Sequence, residues 1–492
     1  MTDSDTGATE SSVRDVIIIG AGLSGIDCAY RLKEQNPDAD YLILERRERM
    51  GGTWDLFRYP GVRSDSDIYS LSYPFEPWRK PRALAHGDDI REYIEDTAAK
   101  YSITDRIRFG RHVLTADWDS ATDTWTLGVE VGEDRRRETH RARFVIFATG
   151  YYDYDNPYTP RFTGADDFTG QIVHPQHWPE DLDYRGKRIV VIGSGATAVS
   201  LIPSLAEKAE HVTMLQRSPS YIFSSKQKQY LAPLVQKLLP PQAAHKVIRT
   251  RYAAQTAAIV HLTHRFPKLG RKMIRNNVVA NLPADYPVDL HFNPTYNPWD
   301  QRMCMVPDAD LFTDIAEGTV EMVTDHIDRF DASGVTLTSG RHLDADIIVT
   351  ATGLQLLGFG GTRLRVDGAE VKPHDRFVFK SYLIEDVPNL AWSVGYTNAS
   401  WTLRADMTAR AVAELVKYMR THGYTHAYPH LGSEVMGSRP VWDLKAGYVE
   451  RSPEALPKSG TRGHWQVRHN YYRDAIDHRI NKVEDSMVFG RV

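Results

Sequence analysis

Two glycine-rich turns in this 492-residue chain have the residue types and spacing of phosphate-binding loops. The first reads Gly20-Ala-Gly22-Leu-Ser-Gly25, and the second reads Gly193-Ser194-Gly195-Ala-Thr197-Ala198. Each follows a β-branched run and opens a segment with helical spacing, so the backbone could approach a pyrophosphate at the positive end of a helix. Ala198 replaces the third glycine, a variant that the helix–sheet contact tolerates. The alternative is a glycine turn made only for close packing.

The residue that ends the second strand of each unit distinguishes the two nucleotides. Glu45 lies 20 residues after Gly25, where a carboxylate can accept hydrogen bonds from ribose hydroxyls and disfavours a 2′-phosphate, so the first site suits FAD. The corresponding strand of the second unit ends in Arg217, and a cation there complements the 2′-phosphate of NADPH. Lys226 or Lys228 could contribute weakly. Alternatively, Arg217 is a plain surface charge.

Two dinucleotide sites suit either a disulfide reductase or an enzyme that passes electrons to dioxygen. Cys28 and Cys304 are the only cysteines, so the C-x-x-C pair of a reductase is not available. The sequence therefore predicts that a reduced flavin reacts here with O2. His174 and His177 could suggest a metal, but Pro175 interrupts them and no third ligand has a recognisable spacing, so no metal site is predicted.

Two β-α-β units must position these residues. Strand-like runs at 15–19 and 41–44 surround the first loop, and runs at 188–192 and 212–215 surround the second. The predicted fold class is α/β, with two Rossmann-like dinucleotide-binding domains, each a three-layer unit on a parallel sheet, and a helical insertion in the second. We assign 1–150 and 380–492 to a discontinuous FAD-binding domain. The NADP-binding domain then takes 151–379, with the insertion at about 222–310.

The last part of the chain predicts one long helix and an outer wrapping. Apolar residues at 412, 415, 416 and 419 recur with helical spacing, and Gly423 is placed to end the helix. Trp401 and Asn398 precede this helix, whose positive end could face the flavin. A simple capping role for Asn398 or Ser400 is the alternative. The Pro- and Arg-rich stretch after Tyr428 is expected to wrap the surface.

Composition excludes several classes of function. A net charge of −4 gives no broad basic footprint for nucleic acid. No apolar run approaches the roughly 18 residues needed to cross a bilayer. Few cysteines and a polar start make a reducing cytoplasm the simplest location. The helical and locally basic stretch at 230–281 is either a solvated face or a peripheral membrane contact.

Four further segments resemble the Baeyer–Villiger monooxygenases. The stretch from Phe168 to Pro179 fits F-x-G-x-x-x-H-x-x-x-W-P, with matches at Phe168, Gly170, His174, Trp178 and Pro179. The segment from Gly51 to Asp67, which contains Gly52, Thr53, Trp54 and Asp65, is similar to the family segment that lies along the flavin. Residues 296–307 and 395–402 resemble the branch that contains the ethionamide-activating monooxygenase, which oxidises ketones and thioamides. The resemblance spans most of the chain.

This resemblance implies that Arg302 is the active-site cation and that Asp65 is its partner. Arginine keeps its charge in a dry pocket, where it could hold an oxygen negative. The fingerprint histidine and Trp178 are then residues of the linker between the domains.

The function implied is an FAD-containing, NADPH- and O2-dependent Baeyer–Villiger monooxygenase. It converts ketones to esters or lactones through a flavin peroxide and also oxidises sulfides or thioamides. The alternatives are an N- or S-oxygenating flavin monooxygenase, or a flavin-based redox sensor without enzymatic turnover. The oligomeric state is not predicted.

Overall fold

The computed structural model describes residues 8–80, 82–227, 231–442, 444–480, 482 and 484–492, without the side chains of 8–11 and 231. The first stretch of chain contains six strands and four α-helices: β1 Ala8–Ile19, α1 Leu23–Gln35, β2 Tyr41–Leu44, α2 Thr53–Leu56, α3 Ile68–Leu71, α4 Gly87–Lys100, β3 Ile107–Arg108, β4 Arg111–Asp119, β5 Thr124–Val131 and β6 Arg136–Phe147.

The middle stretch contains the second glycine loop and the helical insertion. Its elements are β7 Gln171–Val173, β8 Arg188–Ile192, α5 Ala196–Ala206, β9 His211–Gln216, β10 Ile222–Ser225, α6 Leu231–Leu238, α7 Pro241–Arg265, α8 Pro267–Val279, α9 Val288–His291, β11 Cys304–Pro307, α10 Asp310–Glu317, β12 Val320–Thr324, β13 Ile327–Asp331, β14 Gly334–Leu337, β15 His342–Asp344 and β16 Ile347–Thr350.

The last stretch returns to the first sheet and ends in short elements. They are β17 Arg363–Val366, β18 Ala369–Val371, β19 Val378–Phe379, β20 Leu383–Ile384, β21 Leu390–Trp392, α11 Thr402–His422, β22 His426–Pro429, β23 Ser438–Pro440, α12 Gly447–Glu450, β24 Lys458–Gly460, α13 Tyr471–Ile480 and β25 Met487–Gly490. Single 3₁₀ turns occur at Thr104–Arg106, Ala165–Asp167, Pro175–His177, Gly358–Gly361, Pro373–Asp375 and Gly463–Trp465.

The first sheet has a parallel part and an antiparallel part. Strands β3, β2, β1, β6 and β21 pair in that order and all run parallel. The twelve-residue β6 also pairs antiparallel with β5, which continues to β4. Helix α1 and helix α11 pack against each other on this sheet, as the predicted helical spacing requires. Gly423 ends α11 in the left-handed conformation at φ 70°.

The second sheet is wholly parallel in the order β12-β9-β8-β16-β7. Its central strands β8 and β16 are almost continuous apolar runs because both faces of the sheet are covered there. Each glycine loop follows a strand of a parallel arrangement, which confirms the predicted α/β fold class, although the first sheet also has an antiparallel part. The short strands β10 and β11 pair with each other in a separate two-stranded sheet. In sequence, they flank the helices of the insertion.

The chain returns to the first sheet earlier than the predicted domain limit at residue 379. Strand β17 pairs parallel with β4 of the first sheet, and β18 pairs with β17. Residues 363–371 thus complete the first sheet, because backbone hydrogen bonds rather than sequence position decide membership. Most residues of the stretch after Tyr428 are exposed or half-buried, which agrees with the expected wrapping of the surface, but some of its side chains reach the core. Trp442 and Leu456 of that stretch are buried in the hydrophobic core beneath the first sheet.

Two segments of the chain lie side by side where they cross from one sheet to the other. The amide of Asp153 donates to the carbonyl of Gln355 at 3.0 Å, and the amide of Leu357 donates to Tyr151 at 3.0 Å. Both segments directly follow strand ends, so they bring the carboxyl edges of the two sheets to one place. In open parallel sheets this edge is where ligands bind.

Candidate active site

Both glycine loops open into one cavity of about 830 Å³ between the two sheets. Most of the residues predicted to bind cofactor or to act in catalysis line it: Gly20, Gly22, Glu45, Gly52, Thr53, Trp54, Asp65, Gly193, Ser194, Gly195, Thr197, Arg217 and Arg302. Gly25 does not line the cavity. The structure therefore brings together residues that are almost 300 positions apart in sequence.

The first glycine loop packs as a dinucleotide loop must. A Cβ on Gly25 would lie 1.9 Å from the carbonyl oxygen of Gly20, so this residue permits close helix–strand packing. Gly22 directly precedes α1, a helix of 13 residues. Glu45 is only 4% exposed and accepts hydrogen bonds from the amides of Ala21 at 2.7 Å and Arg47 at 2.9 Å. Burial raises the pKa of Glu45, while these two amides oppose the rise.

The second loop leaves room for a ligand backbone. No heavy atom lies within 4 Å of the position that a Cβ on Gly195 would occupy, and Gly195 faces the cavity at the start of α5. This open space and the helix N-terminus fit a pyrophosphate. Arg217 follows β9 as an exposed residue on the cavity lining. In the described ranges, no carboxylate lies within 4 Å of Arg217. Lys226 is not among the residues that line the cavity. Lys228 lies outside the described residues.

Arg302 and Asp65 meet at the inner end of the cavity. Their side chains, 34% and 27% exposed, place Nη1 and Oδ2 3.8 Å apart. Arg302 lies two residues before β11, which is held in place by parallel pairing with β10. Burial opposes the charge of Arg302, but Asp65 and the phenolic groups of Tyr151 and Tyr448 outweigh it and raise the pKa of Arg302. The group is a permanent cation.

The sequence did not predict the tyrosines beside Arg302. Tyr151 and Tyr152 place their hydroxyl oxygens 2.5 Å apart, and the ring of Tyr151 stacks on Trp401 with centroids 5.1 Å apart. Tyr448 comes from α12, and burial raises the pKa of its hydroxyl. The position of Tyr151 directly after a strand-end glycine was a usable signal. Nothing in the sequence around Tyr448 connects it to residue 302.

A second cavity of about 700 Å³ lies on the other side of Arg302. It shares Gln301, Arg302 and Ala399 with the first cavity. Val260 and His264 of α7 and Leu403 of α11 line its walls. Arg302 therefore lies at the boundary between the cavity that contains both glycine loops and a second cavity of similar volume.

The fingerprint residues Phe168, Gly170, His174, Trp178 and Pro179 lie outside the linings of both cavities. Phe168 is buried beneath the second sheet, and a Cβ on Gly170 would lie 2.3 Å from the carbonyl oxygen of Asp346. Gln176 belongs to the same fingerprint stretch. Its side-chain amide donates to the carbonyls of Asp153 and Tyr154, in the crossing segment after β6, at 2.8 and 3.0 Å. The segment thus contacts the connection between the sheets, and its role as a linker stays a prediction.

The capping role considered for Asn398 or Ser400 is wrong. Trp401 precedes α11, and no side chain caps this helix. Asn398 donates to the carbonyl of His469 at 2.9 Å, and the hydroxyl of Ser400 lies 2.6 Å from that of Ser70. Ala399 and Trp401 line the first cavity instead.

Neither a metal site nor a membrane span occurs in the ranges that the structure describes. No group of three or more His, Cys, Asp or Glu is placed to hold a metal ion there. None of the helices in those ranges is both long and apolar enough to cross a bilayer.

Residues 17–280, more than half of the chain, match the family model of the pyridine nucleotide-disulphide oxidoreductases. The fold and the two loops define the same class, although both cysteines are free. The FAD-containing monooxygenase EthA of Mycobacterium tuberculosis is 48% identical over 473 residues, which cover 96% of each chain. EthA of Mycolicibacterium smegmatis is 46% identical over 472 residues, with 96% of each chain covered. The chain belongs to the family of FAD-containing monooxygenases.

Solved structures show the same fold. A steroid monooxygenase bound to NADP matches with a TM-score of 0.76 at 23% identity, over 98% of this chain and 100% of the other. A cyclohexanone-bound cyclohexanone monooxygenase matches with a TM-score of 0.75 at 20% identity, over the same shares. The predicted resemblance to the Baeyer–Villiger monooxygenases is thus confirmed.

Proposed function

We propose that this protein is an NADPH-dependent Baeyer–Villiger monooxygenase that converts ketones to esters or lactones and also oxidises sulfides and thioamides. One oxygen atom of O2 enters the product, the other leaves as water, and NADPH supplies two electrons. The observation that carries the proposal is the Arg302–Asp65 pair at the boundary between the two cavities. The names of the relatives support FAD as the resident cofactor.

The first glycine loop would hold the diphosphate of FAD on the N-terminus of α1, with Glu45 at the ribose. The second loop would hold NADPH on the N-terminus of α5, with Arg217 at the 2′-phosphate. Bound FAD, reduced by NADPH, would supply the oxygen-activating chemistry. The segment with Gly52, Thr53 and Trp54 lines the cavity between the two loops, where it can orient the flavin.

Arg302 would stabilise negative charge on the oxygen atoms that develop between cofactor and ketone. A fixed cation in a site with little water is worth more than in solution and needs no reorganisation during the reaction. Asp65 keeps the guanidinium in place and offsets the cost of its burial. Oxidation at sulfur needs less negative charge on oxygen, so it should depend less on this pair.

Turnover in an ¹⁸O2 atmosphere with a panel of ketones and sulfides tests the proposal. Esters and sulfoxides that each carry one ¹⁸O atom are expected. If hydrogen peroxide is the only oxygen product across the panel, the chain is an NADPH oxidase or a redox sensor and the proposal is wrong.

Replacing Arg302 with alanine should lower ketone turnover by about 10²–10³, the typical cost of removing one oxyanion-stabilising group. The absorption spectrum of bound FAD should be retained, and sulfide oxidation should fall less. Arg275→Ala is the matched control, because Arg275 forms an exposed pair with Asp289 at 2.8 Å, away from both cavities. Full ketone turnover in Arg302→Ala would show that the active site is elsewhere.

A further inference from the structure

The helical insertion has a charge composition unlike the rest of the chain. Residues 231–284 contain nine Lys or Arg and no Asp or Glu, whereas the whole chain has a net charge of −4. Seven of these cations are exposed: Arg275, which pairs with Asp289, and six others, Lys237, Lys246, Arg251, Arg265, Lys268 and Lys272. In the described part of the chain, no carboxylate lies within 4 Å of any of the six. A field of one sign without internal partners attracts an anionic surface.

The same helices also expose large apolar side chains. Eleven of the seventeen exposed large hydrophobics in the described ranges lie between residues 234 and 290. Six of them form pairs four residues apart on three successive helices: Leu234 and Leu238 on α6, Leu262 and Phe266 at the end of α7, and Leu269 and Met273 on α8. Leu238 is 70% exposed and Phe266 is 50% exposed. Contiguous exposure of this kind marks an interaction surface.

Apolar and basic side chains alternate along these helices. Helices α6 and α8 each pack against α7, so their exposed residues lie on neighbouring elements. The guanidinium of Arg265 lies 5.2 Å from the ring centre of Phe266, and Lys268 and Lys272 directly precede Leu269 and Met273. Apolar side chains flanked by lysine and arginine are the composition of helices that lie in the interface of a bilayer.

We infer that α6, α7 and α8 form a docking surface for an anionic phospholipid membrane. Two copies of this chain would not pair well through the surface, because a two-fold contact brings the same cations face to face. A lipid surface avoids this conflict, since phosphate headgroups are mobile and carry the opposite charge. Helix α7 also lines the second cavity through Val260 and His264, so docking would hold that cavity near the bilayer.

Helix α7 anchors the insertion to residues 70–75, a segment that begins in helix α3. Arg249 of α7 is buried and donates to the carbonyls of Ser70 and Ser72, each at 2.5 Å. His245 and Gln242 on the same helix reach the carbonyls of Tyr73 and Phe75, both at 2.9 Å. Membrane contact through the opposite face of the insertion therefore leaves these anchors intact.

Sedimentation of the full-length, FAD-loaded protein with vesicles tests the inference. Vesicles of phosphatidylcholine with phosphatidylglycerol should bind the protein, and pure phosphatidylcholine should bind it at least about tenfold less. Raising the ionic strength from about 0.1 M to about 1 M shortens the Debye length from about 10 Å to about 3 Å and should weaken binding. Equal sedimentation with both vesicles, or with neither, would overturn the proposal.

A double charge reversal distinguishes lipid binding from self-association. Lys268→Glu with Lys272→Glu should lower vesicle binding by about tenfold or more, since each basic residue near an anionic surface contributes about 1 kcal/mol, or about fivefold. Lys417→Glu with Arg420→Glu on α11 is the matched control, because both residues are exposed outside the insertion. A Phe266→Ser variant should also lose binding while keeping its FAD spectrum. If the Lys268/Lys272 variant changes only the sedimentation coefficient of the free protein, the surface pairs two copies and the inference fails.

Discussion

Arg302 and Arg217 are both permanent cations in one cavity, yet their surroundings give them different tasks. Arg302 has a carboxylate 3.8 Å away and is influenced by three phenolic groups, those of Tyr151, Tyr152 and Tyr448, so its charge is fixed inside the protein. Arg217 is exposed on the lining and has no such carboxylate in the described ranges. A paired cation suits a charge that develops during a reaction, whereas an accessible one suits an anion that arrives with a ligand.

Arg217→Ala should raise the KM for NADPH by about 10- to 100-fold, because a hydrogen bond to a charged group contributes about 1.5–3 kcal/mol. The KM for NADH should hardly change, since NADH has no 2′-phosphate. Steady-state oxidation of both cofactors measures this. Arg185→Ala is a suitable control, because Arg185 is exposed and pairs with the exposed Asp183. Equal effects on NADPH and NADH would place the 2′-phosphate elsewhere.

At the scale of single elements, each glycine loop acts through the start of its helix. The first loop is packed so tightly that its third glycine contacts its first, while the second loop has open space at Gly195. Glycine is therefore needed at these two positions for different reasons. One position must fit the protein against itself, and the other must fit a ligand against the protein.

Gly25→Ala and Gly195→Ala should accordingly fail in different ways. The Cβ at residue 25 would lie 1.9 Å from a backbone oxygen, so this variant should lose at least about 2 kcal/mol of unfolding free energy and retain little FAD. The Gly195 variant should keep its melting temperature and its flavin but bind NADPH more weakly. Thermal unfolding followed by flavin fluorescence, with NADP⁺ titration, measures both. A normal NADP⁺ affinity in Gly195→Ala would contradict a pyrophosphate at this loop.

For the molecule as a whole, three histidines lie at contacts between its parts. His174 lies in the fingerprint stretch, which contacts the crossing segment between the sheets. His245 anchors the insertion through the carbonyl of Tyr73. His469 contacts Thr397 and Val441. Burial lowers the pKa of each of them to about 4. Each is neutral in the folded protein at pH values where it is protonated in the unfolded chain, whose histidine pKa is about 6.5.

The unfolding free energy should therefore fall as the pH drops from about 6.5 to about 4. In that window the unfolded chain binds more protons, and linkage then favours unfolding. His245 is 3% exposed, so its share is at most about 3 kcal/mol at about 1.4 kcal/mol per pKa unit. In the His245→Gln variant an amide can still donate to Tyr73. Denaturant titrations of this variant from pH 7 to pH 5 should show a smaller change of the unfolding free energy per pH unit than in the wild-type protein. An unchanged slope would mean that His245 does not contribute.

The sequence by itself determined the two β-α-β units, the two loops and the residues Glu45 and Arg217, because glycine spacing and strand periodicity are local properties. It also pointed to residues 65 and 302, through resemblance alone. Only the tertiary structure decided that these residues share a cavity, that 363–371 complete the first sheet, and that Tyr448 stands beside Arg302. These facts depend on contacts between distant parts of the chain. Such contacts are set by burial and backbone pairing, which leave no periodic signal in the sequence.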